Sequence, residues 1–285
     1  MTPNLSARVR EHLRDSTHCE HIAVGRIIGC GDVAEHKSGP PLYQTPRSEL
    51  IVVMRRDKAK APDFARRHGA NRSYADPDSL LAAPEVNAVY VASPHHLHPA
   101  HAIQASQAGK IVLCEKPMGT SSADARSIVD ACKTNEVSLT LAYYCRFWPI
   151  TQKMKQLLAE DAIRRVVQAR VQLSAPFSGD PERPWLTPLE EAGGGALANA
   201  GSHWVDLLRY LLGEFEEVTA FCSSAAGGFE VEDTVLILLS TADGALASLA
   251  TTWQGGVGVD DFDVTGTRGR FLASPLSAGR LYLHR

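Results

Sequence analysis

Between residues 22 and 143, short apolar runs alternate with stretches of helical periodicity, and this alternation constrains the fold of the 285-residue chain more than any other feature. Two neighbouring parallel strands cannot be joined by a tight turn. They need a crossover, usually a helix lying on the sheet face. Strands are expected over 22–28, 49–54, 86–92, 110–114 and 137–143, and helices over 57–68, 99–108 and 121–135, the last capped by Ser121 or Ser122. Val91-Ala92 and Leu113-Cys114 lack polar alternation, as strands buried on both faces require. The pattern predicts a doubly wound parallel α/β sheet.

After Tyr143 the rhythm changes. Helices are expected over 149–159 and 197–212, the second ended by Gly213 after a loop rich in Pro and Gly over 175–195. Strands are expected over 166–173, 218–222, 235–239, 245–252 and 262–265, with turns such as Ala242-Asp243-Gly244 between them. Consecutive strands with short turns call for an α+β domain whose open, mostly antiparallel sheet is covered by helices on one face. The chain therefore divides into an N-terminal extension (1–21), a parallel-sheet domain (22–143) and an α+β domain (144–285).

A formal charge of −3 gives no reason to expect nucleic acid or an acidic membrane as partner. The six cysteines are scattered without a C-x-x-C pair, which suits a reduced cytoplasmic chain. Arg8, Arg10, Glu11, Arg14, Asp15 and Glu20 speak against a signal peptide or anchor in the first twenty residues. No run elsewhere is long and apolar enough to span a bilayer.

Gly29-Cys30-Gly31-Asp32-Val33-Ala34 follows the first strand and fits G-x-G-x-x-G/A, the dinucleotide fingerprint of a Rossmann domain. The first glycine permits the turn. The second lets backbone N–H groups approach a pyrophosphate, and the small Ala34 lets helix and strand pack closely. The second strand ends Arg55-Arg56-Asp57, where an NAD site would carry a carboxylate for the ribose. A guanidinium there can grip a 2′-phosphate, so NADP(H) is expected as the preferred cofactor, with NAD(H) second. The bland alternative makes Arg55 and Arg56 solvated charges and Asp57 a helix cap.

Cys114-Glu115-Lys116-Pro117 places an ammonium at the carboxyl edge of the same sheet, where open α/β sheets bind ligands. Ser93-Pro94-His95 should turn beside the nicotinamide, with His98 packing near the next helix. His95, His96, His98 and His101 invite a zinc reading, but no cysteine or carboxylate nearby completes a set, and no metal is expected.

Taken in order, these stretches resemble the Gfo/Idh/MocA oxidoreductase family, which includes glucose–fructose oxidoreductase and inositol dehydrogenase. The likeness rests on Gly29–Ala34, on Val91 through His98, on Ala108-Gly109-Lys110 leading to Glu115-Lys116-Pro117, and on Gly193-Gly194-Gly195-Ala196-Leu197 running to Gly201-Ser202-His203-Trp204-Val205-Asp206. The resemblance implies NAD(P)-dependent oxidation or reduction of a sugar, polyol or related hydroxyl or ketone compound. It also implies a homo-oligomer, with Lys116 and His203 in the active site. This chain departs from the family pattern in carrying Asn199 where an aspartate often stands, and in stopping at Arg285 where relatives continue with a further strand and helix.

Hydride transfer at a carbinol carbon requires a positioned acid/base for the hydroxyl proton. Lys116 would bind the substrate oxygen and His203 would serve as acid/base. Asn199, His203 and Asp206 share a helix face by spacing. Asn199 would hydrogen-bond substrate or orient His203. Arg146, among Tyr143, Tyr144, Phe147, Trp148 and Trp185, is a further substrate-binding candidate. The expected nicotinamide site lies between an ammonium and an imidazole supplied by opposite halves of the molecule. Two rival readings stay open: a non-catalytic dinucleotide-binding regulator, and an enzyme that uses the nicotinamide transiently in a redox-neutral reaction.

Overall fold

The computed structural model describes residues 25–46 and 48–285. The expected extension and the first residues of the first strand lie outside these. Cα proximity divides the chain into two compact units. The first holds the residues up to Ser93 with Leu97–Glu115 and Ala125–Thr140, and the second holds Pro94–His96, Lys116–Asp124 and Leu141–Arg285.

The first unit is built on β1 (Arg26–Ile28), β2 (Val52–Met54), β3 (Arg72–Tyr74), β4 (Ala88–Val91), β5 (Ile111–Cys114) and β6 (Leu139–Leu141), in the spatial order β3-β2-β1-β4-β5-β6. The β1–β2, β1–β4, β2–β3 and β4–β5 pairings are parallel, as the apolar runs predict. β1, β2 and β4 are buried along their whole length because helices cover both faces. The helices over Lys60–His68, His98–Gln107 and Ser122–Thr134 fall within three residues of expectation, and Ser121 caps the last by accepting the Asp124 N–H at 3.1 Å. The sequence reading missed β3 and the short helix Pro77–Leu81. The first is an edge strand, Arg-Ser-Tyr, with no apolar run to betray it. The helix is set by Asp76, which accepts the Ser79 N–H at 2.8 Å, and by Pro77 in its first turn.

The second unit carries β7 (Val166–Ser174), β8 (Phe215–Ser223), β9 (Thr234–Thr241), β10 (Leu246–Thr252), β11 (Val259–Gly266), β12 (Gly269–Ser274) and β13 (Arg280–His284). Their order is β13-β12-β11-β7-β10-β9-β8, antiparallel at every pairing except β7–β10. Period-2 burial sorts the faces: Val235 and Ile237 of β9 point into a core with Val171, Leu249, Phe262 and Phe271, while Leu236 and Leu238 are exposed. Met154 of the helix Pro149–Ala159 and Leu207 and Leu208 of the helix Ser202–Leu212 close that core. β12 and β13 were not foreseen; they form the final hairpin beyond Gly266. Five described cysteines are free thiols, and among the described residues no helix is long and apolar enough to cross a membrane.

Candidate functional site

In the first unit, Gly29 has φ +98°, and a Cβ there would lie 2.5 Å from the Ser93 backbone nitrogen. The first glycine is thus demanded twice, by the left-handed backbone and by the approach of the β1 and β4 ends at the point where strand order reverses. The N–H groups of Gly29 and Cys30 both reach the Met54 carbonyl, at 3.1 and 3.3 Å. Beside Gly31, which precedes the helix Asp32–His36, a Cβ would enter open space. That opening is where a pyrophosphate would meet the loop. Ala34 is fully buried, Val33 half-buried and Asp32 exposed.

Burial pushes the Cys30 thiol up to about 12, while the Met54 hydrogen bond and the charge of Arg55 pull the other way. Arg55 directly follows Met54, whose carbonyl receives the N–H groups of the loop. Arg56 is exposed, and Asp57 caps the next helix by accepting from the Ala59 and Lys60 N–H groups at 2.9 and 3.2 Å. An open glycine cradle with a nearby guanidinium fits a dinucleotide. His98 donates Nε2–H to the Ser93 carbonyl at 2.7 Å, and His101 Nδ1 pairs with the Ser93 hydroxyl at 2.9 Å. Buried Glu115 accepts from the Tyr90 hydroxyl and, at 3.3 Å, from Ser38, in the segment just past that helix. Burial first, and then the Glu115 charge, push the Tyr90 phenol well above its usual range.

The second unit holds the other candidates. His95 donates Nδ1–H to the Ala192 carbonyl at 2.8 Å and meets Trp185 edge-on at 4.7 Å; Pro94 before it is half-buried. His96 turns instead to Glu191. The histidine run therefore divides, His98 and His101 meeting Ser93 while His95 and His96 turn to Ala192 and Glu191. Lys116, followed by a cis peptide bond to Pro117, donates its ammonium to the Asn199 carbonyl. This corrects the expectation of opposite halves, because Lys116 and His203 belong to one unit. The segment after Lys116 packs tightly there: a Cβ on Gly193, whose φ is +73°, would lie 2.5 Å from Thr120 Cα.

The expected single helix over 197–212 begins as a π turn, Leu197–Gly201, before its α-helical part. The Ser202 N–H reaches back to the Leu197 carbonyl, an i→i−5 bond that interrupts the regular ladder just where Asn199 offers its carbonyl to Lys116. One turn on, buried His203 lies edge-on to Tyr143 at 5.6 Å and to Tyr144 at 4.8 Å. Burial first and then Asp206 raise the Tyr143 phenol. Arg146, a substrate-binding candidate by residue type, grips buried Asp206: its Nε donates to Oδ2 at 2.6 Å and its Nη2 to Oδ1. It also lies 5.3 Å from the centre of the Tyr210 ring. Residue type and spacing pointed to Lys116 and His203. Nothing in the sequence signalled the π turn or the Arg146–Asp206 pair, which joins residues 60 apart.

Residues 24–143 match the profile of the oxidoreductase family with an NAD-binding Rossmann fold (Gfo/Idh/MocA), and residues 151–272 match that family's C-terminal domain. An oxidoreductase of Formosa agariphila is 38% identical over 67% of this chain and 61% of its own length. The chain thus spans less than two thirds of that relative. A levoglucosan dehydrogenase of Pseudarthrobacter phenanthrenivorans is 30% identical over 89% of this chain and 73% of its own. A levoglucosan dehydrogenase solved with NADH and L-sorbose superposes with a TM-score of 0.82 at 29% identity, covering 90% of this chain and 75% of that one.

Proposed function

Because this chain belongs to the Gfo/Idh/MocA oxidoreductase family, we propose that it is an NAD(P)-dependent dehydrogenase or reductase acting on the CH–OH group of a sugar, polyol or related compound. The observation that carries this reading is the convergence, within one unit, of the Lys116 ammonium and the helix bearing Asn199 and His203. A bound nicotinamide would supply the hydride chemistry. The chain's own groups handle the oxygen and its proton. Lys116 donates to the substrate oxygen, stabilising alkoxide character in one direction and polarising a carbonyl in the other. His203, whose side-chain type titrates near neutrality, moves the hydroxyl proton. Asn199 fixes the ammonium through its carbonyl and offers its amide to a substrate hydroxyl. Arg146 contributes by holding Asp206 one turn beyond His203.

The backbone of Gly29, Cys30, Gly31, Asp32 and Val33 would receive the pyrophosphate, with Ser93, His98 and Glu115 of the same unit shaping the site further along the sheet edge. Arg55, next to the Met54 carbonyl that receives the glycine loop and followed by Arg56, favours NADP(H) over NAD(H). The solved relative holds NADH with a ketose, which supports the nicotinamide and the substrate class. Free buried thiols suit a cytoplasmic setting, and the exposed leucines of β9 suit a homo-oligomer.

The test is an absorbance assay of purified protein with NADPH and NADH against keto-sugars, and with NADP⁺ and NAD⁺ against anhydrosugars. Net nicotinamide turnover that falls at least about a hundredfold in Lys116→Ala supports the reading. Binding without turnover would favour a regulator. Equal affinity for the two reduced cofactors would remove the role given to Arg55.

A further inference from the structure

Three successive N–H groups at the onset of the helix bearing Asn199 and His203 are taken by a single residue. The Glu232 carboxylate accepts the Gly195 N–H at 2.7 Å through Oε2 and the Leu197 N–H at 3.0 Å through Oε1. Its main-chain carbonyl accepts the Ala196 N–H between them at 2.9 Å. Helix onsets leave such donors unsatisfied, and a carboxylate there is doubly favoured, by hydrogen bonding and by the helix dipole.

The approach is close enough to dictate sequence. A Cβ on Gly195 would sit 1.9 Å from the Glu232 carbonyl oxygen, so the glycine is a docking surface for this residue. Glu232 itself is held on both sides. Val231 and Asp233 are each 1% exposed, Val231 lying in a small core with Ala192, Ala196 and Trp253. Asp233 accepts the Ala226 and Gly227 N–H groups at 3.0 and 2.6 Å, and its backbone bonds to Ser223 and Trp253. A rigid segment thus grips Gly195–Leu197, and two residues beyond Leu197 the Asn199 carbonyl holds the Lys116 ammonium.

We propose that Glu232 is a positioning residue for catalysis: by clamping the start of this helix it sets where the Asn199 carbonyl holds Lys116 and where His203 stands. The inference rests on the enzymatic reading above, so its test needs an arm that does not require turnover. Glu232→Gln keeps the shape but replaces one acceptor oxygen with an amide that faces an N–H donor. Glu232→Asp keeps the charge one methylene short.

The first arm is competitive acylation of lysines by acetic anhydride in wild type and both variants, read by peptide mass spectrometry. Lys155, whose ammonium is held by the Tyr210 carbonyl in the same unit, is the internal control. Lys116 labelling relative to Lys155 should rise about tenfold in Glu232→Gln, and less in Glu232→Asp, as the Asn199 contact loosens. In the second arm, kcat should fall about tenfold or more while the dissociation constant for NADH stays unchanged. An unchanged labelling ratio, or a parallel rise at Lys155 from general loosening, overturns the proposal. Absence of wild-type turnover would overturn the enzymatic reading alone, since the labelling ratio still decides whether Glu232 places Lys116.

Discussion

Asn199 meets Lys116 through its backbone, so what matters most at this position is where a carbonyl lies. Residue type singled out Lys116, His203 and the glycines because the chemistry proposed for them is carried by a single side chain or by its absence. The Arg146–Asp206 pair could not be read in advance, because the two residues lie 60 apart in sequence and become neighbours only on folding. Arg26 escaped notice altogether. It is fully buried on a central strand of the first sheet, donates to the Ala83 carbonyl, and leaves Nε and Nη1 without partners among the described residues. Burial, with Arg72 nearby, pulls its pKa down to about 10. A buried charge with unmade hydrogen bonds is replaceable by an apolar group of similar length at no cost, or to advantage. Arg26→Met should therefore melt at the same temperature as wild type or a few degrees higher, by calorimetry; a loss of several degrees would show that the guanidinium stabilises the strand.

At the scale of elements, strands with apolar runs were legible, even the edge strands β6 and β8, and β3, β12 and β13 were not. β3 is polar, and β12 and β13 follow a turn where the reading stopped. The helix carrying His203 was legible by its apolar face, but its π turn was not, because the inserted residue depends on what the backbone must meet. The helix Asp32–His36 is too short to stand alone and is tied to Lys60–His68 by Glu35, which takes a bidentate grip from Arg67 and a 3.0 Å contact from His68 Nε2. The Tyr43 hydroxyl completes the chain at His68 Nδ1, also at 3.0 Å. The Arg67 hydrogen bonds, and secondarily His68, lower the Glu35 pKa from 4.5 to about 2. A depressed carboxylate pKa gives stability that is present above its unfolded value and lost as pH falls through the folded one. Wild type should lose thermal stability between pH 4.5 and 2 more steeply than Glu35→Gln, which should already be less stable at neutral pH. Parallel melting curves across that range would contradict the role of the network.

For the molecule as a whole, the division into a parallel sheet and a mostly antiparallel one was legible from the switch in periodicity. Less legible was the ownership of Pro94–His96 and Lys116–Asp124, which the second unit takes from the middle of the first unit's sequence. The outer face of the second sheet exposes Phe221, Leu236, Leu238 and Leu246, with relative exposures of 55–74%. An apolar face of this kind suits the homo-oligomer proposed above. Sedimentation velocity should find an oligomer that Leu238→Lys converts to a smaller species, and a wild-type monomer at micromolar concentration would dismiss it. The central claim is that a hydride passes directly to a substrate carbon beside Lys116 and His203. The most direct measurement supplies reduced nicotinamide deuterated at C4, on each face in turn, with a keto-sugar that turns over, and reads the product by mass spectrometry. One face should deliver a single deuterium to the new carbinol carbon, with the signal lost in Lys116→Ala. Product formed without deuterium from either face would contradict the account.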